Sequence, residues 1–370
     1  MRITDVVALP VRIPPAPAHP LPEGGGETSA SHTVILVETD EGVTGIGEAF
    51  RFAPKTVAAF VDEILAPLLV GQDPSRIELL WDRMYRTTFR YGRMGLVMHA
   101  ISGVEVALWD IAGKAAGKRV CDLLGGPCRD GLMAYASMHP YQTPEAAAEA
   151  ATGYLAEGYK ALKLHQKDIA SVRAVREAIG PDVRLMLDAS GAWSEPEAMR
   201  TVDALADCDL YWIEEPLRDM NDLDGLRRLR ERSSTRIAAG ENEYTHFGFR
   251  EMISSVAVDL VQPDVIKAGG IAPTRKIIGM AEAWNMEVCL HSFYFGAGVA
   301  ATLHLALSSP RCEMIEINAL PLQRSLIDPG LRPVDGMVRL PDAPGLGIAI
   351  PDDILAEARS ADPLRPKLRG

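Results

Sequence analysis

Three acids carry the first chemical signal in the sequence. Asp188 follows Leu185-Met186-Leu187, Glu214 follows Tyr211-Trp212-Ile213, and Glu241 follows Ile237-Ala238-Ala239-Gly240. They stand 26 and 27 residues apart, about one strand–helix–strand step, so three successive parallel strands would each end in a carboxylate. Any one of them alone reads as a helix N-cap or a solvated loop acid. Three converging in one mouth demand a cation, because like charges held that close would otherwise force protonation. An all-oxygen set suits a hard ion such as Mg²⁺, which keeps positions open for water or substrate.

Other reactive residues fall at similar places. Lys163 and His165 end the strand before Asp188; being two apart they share a face, whereas Lys160 has the opposite parity and should point outward. Asp264 and His291 lie 27 residues apart at the ends of the sixth and seventh strand candidates, which sets a carboxylate beside an imidazole. A carboxylate orients a histidine and favours its protonated form, as a general acid or base near neutral pH requires. Glu316 ends the eighth strand, and Lys267 is placed to neutralise a neighbouring carboxylate. His304 sits in an apolar helical run and His19 and His32 lie in or beside a loop, so all three read as structural or peripheral.

The elements that must position these groups alternate. From Gly131 onward, eight strand candidates (132–136, 160–164, 183–187, 210–213, 236–239, 258–261, 287–290 and 313–315) are separated by helical segments, with Thr143-Pro144 and the Ser194/Glu197 pair as helix starts. Eight strands at this spacing argue for an α/β barrel whose chemistry lies at the strands' C-terminal ends. Before it come strand-like Ile3–Leu9, a hairpin of 33–38 and 43–48, and helical stretches at 55–69, 75–87 and 94–116, a small α+β unit. The glycine-rich loop Pro14–Gly26 between its first strands suits a lid. The tail from Asp335, with Pro344-Gly345-Leu346-Gly347, breaks the alternation and should return to the first unit. The expected boundaries are 1–128, 129–334 and 335–370.

The chain has 370 residues and a formal net charge of -12, with no basic cluster, which argues against a nucleic-acid partner. No apolar run is read as long enough to span a bilayer, and Met1-Arg2-Ile3-Thr4-Asp5 lacks a signal peptide's apolar stretch. Five scattered cysteines without a Cys-x-x-Cys fit reduced thiols, so a cytoplasmic protein is expected. Neither nucleic acid nor membrane is expected as a partner; a homo-oligomer is expected, and the family resemblance below implies a small-molecule carboxylate.

Several motifs resemble the enolase superfamily, specifically its mandelate racemase subgroup in the mandelate racemase/muconate lactonizing enzyme family. They are Trp212-Ile213-Glu214-Glu215-Pro216, Ala239-Gly240-Glu241-Asn242, Val261-Gln262-Pro263-Asp264 with Lys267 and Gly269-Gly270, and Pro344-Gly345-Leu346-Gly347. Ala107-Leu108-Trp109-Asp110-Ile111 with Gly113-Lys114, and Leu123-Leu124-Gly125-Gly126, resemble that family's first domain. The resemblance implies a modified TIM barrel, (β/α)7β, under an α+β capping domain formed from both ends of the chain. It also implies one Mg²⁺ on Asp188, Glu214 and Glu241, an Asp264–His291 dyad, and Glu316 bonded to the substrate carboxylate opposite Lys163. The chemistry would be removal of the proton next to a carboxylate through a metal-stabilised enediolate.

One position departs from the subgroup: many members carry Lys-x-Lys where this chain has Lys163-Leu164-His165. Dehydration of an acid sugar is the expected reaction, with a racemase, epimerase or cycloisomerase as the alternative. A metal-binding barrel kept for structure or storage is the third reading, and the intact set of acids and bases argues against it. Ser137, His139, Tyr294 and Asn318 are candidates to read the sugar hydroxyls.

Overall fold

Runs of β-branched residues form the first sheet, in which β1 (Ile3–Arg12), β2 (Ser31–Thr39) and β3 (Thr44–Ala49) pair antiparallel in that order. The computed structural model describes residues 1–16 and 31–361. The expected lid lies from residue 17 onward outside them, as does His19. One face of β3 is made for close approach: a Cβ at Gly47 would fall 1.9 Å from the Gly103 carbonyl oxygen, and one at Gly45 2.1 Å from that of Ala107. The helix Leu96–Ala116 therefore lies directly on the strand. That helix corrects the reading that no apolar run is of spanning length. Its 21 residues are long and apolar enough, but 83% of its most apolar window is buried inside the molecule, as in a core helix.

The barrel follows: β4 (Leu132–Ser137), β5 (Ala161–Leu164), β6 (Arg184–Asp188), β7 (Leu210–Glu214), β8 (Ile237–Ala239), β9 (Leu260–Val261), β10 (Glu287–Val288) and β11 (Met314–Asn318). Neighbours run parallel in the order β10-β9-β8-β7-β6-β5-β4-β11, so the first and last barrel strands lie side by side. A helix follows each of the first seven, giving (β/α)7β. No ladder joins β10 to β11 among the described residues. β9 and β10 are shorter than the sequence suggested. On β9 the expected residues 258–259 fall outside the strand, and past Val261 the residue Pro263 has no N–H to donate toward the end of β10, although His291 N still donates to Pro263 O at 3.2 Å. β5 begins at Ala161, leaving Lys160 exposed outside it.

Helix starts behave as their sequences suggest. Thr143 Oγ1 accepts from Ala146 N at 3.2 Å, and Glu197 accepts from Ser194 N at 2.8 Å in a capping box. After the barrel, β12 (Met337–Val338) pairs antiparallel with β4, an addition that nothing in the sequence signals. The tail then reaches the first unit: Leu346 N donates to Asp110 Oδ1 at 2.7 Å, and the helix Asp352–Ser360 packs on β1.

Candidate active site

Alternation along the strands builds the site in layers. Tyr135, Ala161, Met186, Trp212, Ala238, Leu260, Cys289 and Met314 form one apolar cluster inside the barrel. Two residues further along, on the same face, stand Lys163, Asp188, Glu214, Gln262, His291 and Glu316. Another two along come His139, His165, Ser190, Asp264, Phe293 and Asn318. The apolar floor is thus succeeded by a polar ring and then by a mouth. Glu241 enters the ring out of step, through Gly240. That glycine has φ 122°, and a Cβ there would meet the Phe249 ring at 2.8 Å.

The structure brings all eight of the singled-out residues into one network. Lys163 Nζ lies 2.8 Å from Glu214 Oε1, 2.9 Å from Glu316 Oε1 and 4.0 Å from Asp188 Oδ2. His165 Nε2 is 3.0 Å from Asp188 Oδ2, while its Nδ1 is 2.6 Å from Met138 O. His291 Nδ1 is 2.6 Å from Asp264 Oδ2, and its Nε2 is 2.7 Å from Glu241 Oε2. Lys267 Nζ, 3.6 Å from Glu241 Oε1, takes the neutralising place expected of it.

These contacts fix the charges. Burial opposes the ammonium of Lys163, but Glu214 and Glu316 outweigh it and hold the pKa well above the ordinary lysine range. Burial also opposes the imidazolium of His291. Glu241, Glu316 and Asp264 reverse that and raise its pKa well above the usual value. For His165, Asp188 overcomes burial and the net direction is upward. Burial resists ionisation of Glu316, yet Lys163 and His291 bring its pKa down to about 2. Glu214 moves the other way, raised by burial against the pull of Lys163 with Asp188, Glu316 and Glu241 close by. A carboxylate so crowded favours a cation.

Two donor sets compete for a metal. Glu214, Glu241 and His291 each present a donor atom within 4.8 Å of the others, which is not the trio the sequence suggested. A ring bonded to carboxylates through both nitrogens is protonated, however, and has no lone pair to give. Asp188, paired with Glu214 in register across β6 and β7, offers an oxygen in place of that ring. The residues present fit a hard divalent ion on Asp188, Glu214 and Glu241.

Sequence reasoning overlooked several supporting groups. Gln262 Nε2 and Trp212 Nε1 donate to Glu214 Oε2 at 2.8 and 3.1 Å. Glu215, held at φ 44°, accepts from Gly240 N at 2.9 Å and steadies the turn that delivers Glu241. Gln262 was legible by its parity with Leu260; Glu215 was not, because its role depends on a left-handed backbone. Tyr294, read as a hydroxyl sensor, instead donates its own hydroxyl to Asp264, 2.9 Å from Oδ2 and 3.1 Å from Oδ1. His139 and Asn318 bond each other at 3.2 Å at the rim.

Fold and site together define an enolase-type barrel enzyme. The chain belongs to the mandelate racemase / muconate lactonizing enzyme family: residues 6–125 match its N-terminal domain, and residues 145–354 match the enolase C-terminal domain-like family. A D-galactarolactone cycloisomerase of Agrobacterium fabrum is 33% identical over 355 residues, covering 90% of this chain and 92% of that one. An arabinonate dehydratase of Saccharolobus solfataricus is 34% identical over 333 residues, covering 87% and 88%. Among solved structures, a racemase from Streptomyces coelicolor with bound magnesium superposes with a TM-score of 0.86 at 30% identity, covering 96% of this chain and 99% of that one.

Proposed function

We propose that the protein dehydrates an acid sugar, taking the proton next to the carboxylate with one histidine and expelling the neighbouring hydroxyl as water with the other. The observation that carries this reading is the unlike anchoring of the two imidazoles. His165 Nδ1 meets a backbone carbonyl, Met138 O, so that nitrogen carries the hydrogen, and Nε2, which meets Asp188 Oδ2 at 3.0 Å, would be free to offer its lone pair once a cation takes that carboxylate. His291 Nδ1 meets a carboxylate, Asp264, which favours the imidazolium and leaves a proton on Nε2 to give. Lys163 is wholly buried and paired with two acids, whereas the His165 side chain is 18% exposed. The base on that face is therefore His165, with Lys163 a fixed ammonium.

The reaction balances with these groups. His165 Nε2 takes the proton from C2, and the C–H electrons pass toward the carboxylate as an enediolate forms. The Lys163 ammonium faces the developing charge. The C3–O bond then breaks as His291 Nε2 supplies its proton, giving water and an enol that tautomerises to a 2-keto-3-deoxy acid. A magnesium ion held by Asp188, Glu214 and Glu241 would supply further positive charge for the carboxylate oxygens. His165 also touches Asp188, and a cation on that carboxylate would compete with the imidazole for it.

Isomerisation is the second reading, because the chain holds an imidazole on each of two strand ends and its relatives include a cycloisomerase. A panel of acid sugars assayed for keto acid, alongside α-proton exchange in deuterated water, decides. Keto acid with exchange supports dehydration. Exchange without keto acid moves the protein to the isomerases, and the absence of both across the panel rejects the shared chemistry.

A further inference from the structure

Immediately after β3, the segment Phe50-Arg51-Phe52 meets residues of the barrel mouth. Phe50 lies on the Lys267 side, its ring 4.8 Å from Nζ. Arg51 lies on the His165 side, its guanidinium carbon 4.7 Å above the Phe293 ring, and that ring is 5.9 Å from the ring of His165. Stacking satisfies the face of a guanidinium but leaves the N–H groups in its plane unanswered. Nε and Nη1 of Arg51 are both buried without a hydrogen-bond partner, and no ion pair among the described residues reaches the group. Buried donors of this kind are costly and rare. Glu48, the acid among the described residues that acts on Arg51, is already committed, since its Oε2 accepts from Gly296 N at 3.1 Å and from Gly298 N at 2.8 Å. Burial lowers the Arg51 pKa only to about 10, so the charge stays.

A lone guanidinium in the mouth needs an acceptor brought from outside. The reacting carboxylate of the substrate is already provided for by Lys163 and by the cation that Asp188, Glu214 and Glu241 would hold. Arg51 stacks on Phe293, in the outer layer of the mouth, and none of the ion pairs around Lys163, His165 and His291 includes it, which sets it beyond that centre. A carboxylate lying in the guanidinium plane matches its fork better than a hydroxyl does. We propose that Arg51, braced on Phe293, receives a second carboxylate at the far end of the substrate, so that the acid sugar is dicarboxylic. This rests on the acid-sugar reading above and narrows it.

Matched pairs test it: galactarate against galactonate, glucarate against gluconate and mannarate against mannonate, each pair differing only in carboxylate or hydroxymethyl at C6. The wild-type enzyme should favour the dicarboxylic member in kcat/KM. Arg51→Met should shrink that preference roughly 30-fold or more, carried in KM, as expected when one partner of a buried charge pair is removed. Arg51→Lys, which keeps the charge but loses the fork, should retain an intermediate preference. Phe293→Leu takes away the brace without touching the cation and should shrink the preference in the same direction, which separates the effect from a misfolded Arg51 variant. A wild-type preference for the monocarboxylic sugars, or a preference left intact in both Arg51→Met and Phe293→Leu, overturns the inference while leaving the dehydratase reading standing. Neither turnover nor α-proton exchange with any of the six sugars rejects both.

Discussion

His291 and His304 are both almost wholly buried and both engaged at each ring nitrogen, yet their surroundings push them in opposite directions. His291 lies between Asp264 and Glu241, and its pKa rises. His304 accepts from Cys121 N at 3.0 Å and meets Leu346 O at 3.1 Å, where the barrel helix Ala297–Leu307 touches the first unit and the tail. With a backbone donor on one nitrogen, that ring must be neutral, and burial lowers its pKa to about 4. His165, between a carbonyl and a carboxylate, lies between these cases. The neighbours decide whether a buried imidazole is a proton carrier or a strut.

The mouth's side of this contrast depends on its acids, so removing one should have the largest effect. Glu241 is the better choice than Glu214, because Glu214→Ala would leave Lys163, Gln262 and Trp212 without their shared acceptor. Glu241→Ala should fold and yet bring turnover to background, as should excess chelator on the wild type. Wild-type turnover under either condition removes the metal assignment.

Next comes His291, the proposed proton donor. His291→Asn should cost about 10² to 10⁴ in kcat, the usual range for general acid–base catalysis. Exchange of the α-proton with deuterium, through His165, should persist without product. If His291→Asn stops exchange as well, while His165→Ala leaves it running, the two roles are reversed.

The strut should respond to pH instead. His304 titrates lower in the folded protein than in the unfolded chain, so its contribution is complete above about pH 6.5. It is lost as pH falls toward 4, because the unfolded chain binds the proton first. The span from 6.5 to about 4 corresponds to on the order of 3 kcal/mol. Melting temperatures of wild type and His304→Gln across that range should converge toward acid pH. Parallel curves would show that His304 is not what the protein loses on acidification.

How much of this was legible follows from where information sits along a strand. The alternation of 2 put Lys163 and His165 on one face, and position at successive strand ends gathered Asp188, Glu214, His291 and Glu316, because both signals survive without knowing the neighbours. The apolar helical run around His304 marked it as structural. What failed to show were contacts made by backbone or by distant loops: the Met138 carbonyl on His165, the left-handed Glu215, and Arg51 over Phe293, which are 242 residues apart in the chain. The pairing of β12 with β4 was hidden for a related reason, since a two-residue strand has no periodicity to read. The 21-residue helix Leu96–Ala116 was underestimated because Glu105, Asp110 and Lys114 interrupt its apolar run; in the fold, Glu105 receives Ile271 N and Ala272 N, and Lys114 pairs with Asp110.

The smallest effect tests Tyr294, where sequence and structure disagree. Its hydroxyl donates to Asp264, whose Oδ1 also accepts from Ile266 N at 2.7 Å and Lys267 N at 3.1 Å. Losing one of three donors should loosen the carboxylate that aims His291 without freeing it, at a cost of about 1.5 to 3 kcal/mol for a hydrogen bond to a charged group and less where other donors remain. Tyr294→Phe should therefore lower kcat by no more than about tenfold and leave KM close to wild type across sugars that differ in hydroxyl stereochemistry. A KM that rises for some of those sugars and not for others, at unchanged kcat, would return Tyr294 to the substrate and leave the dyad held by backbone alone.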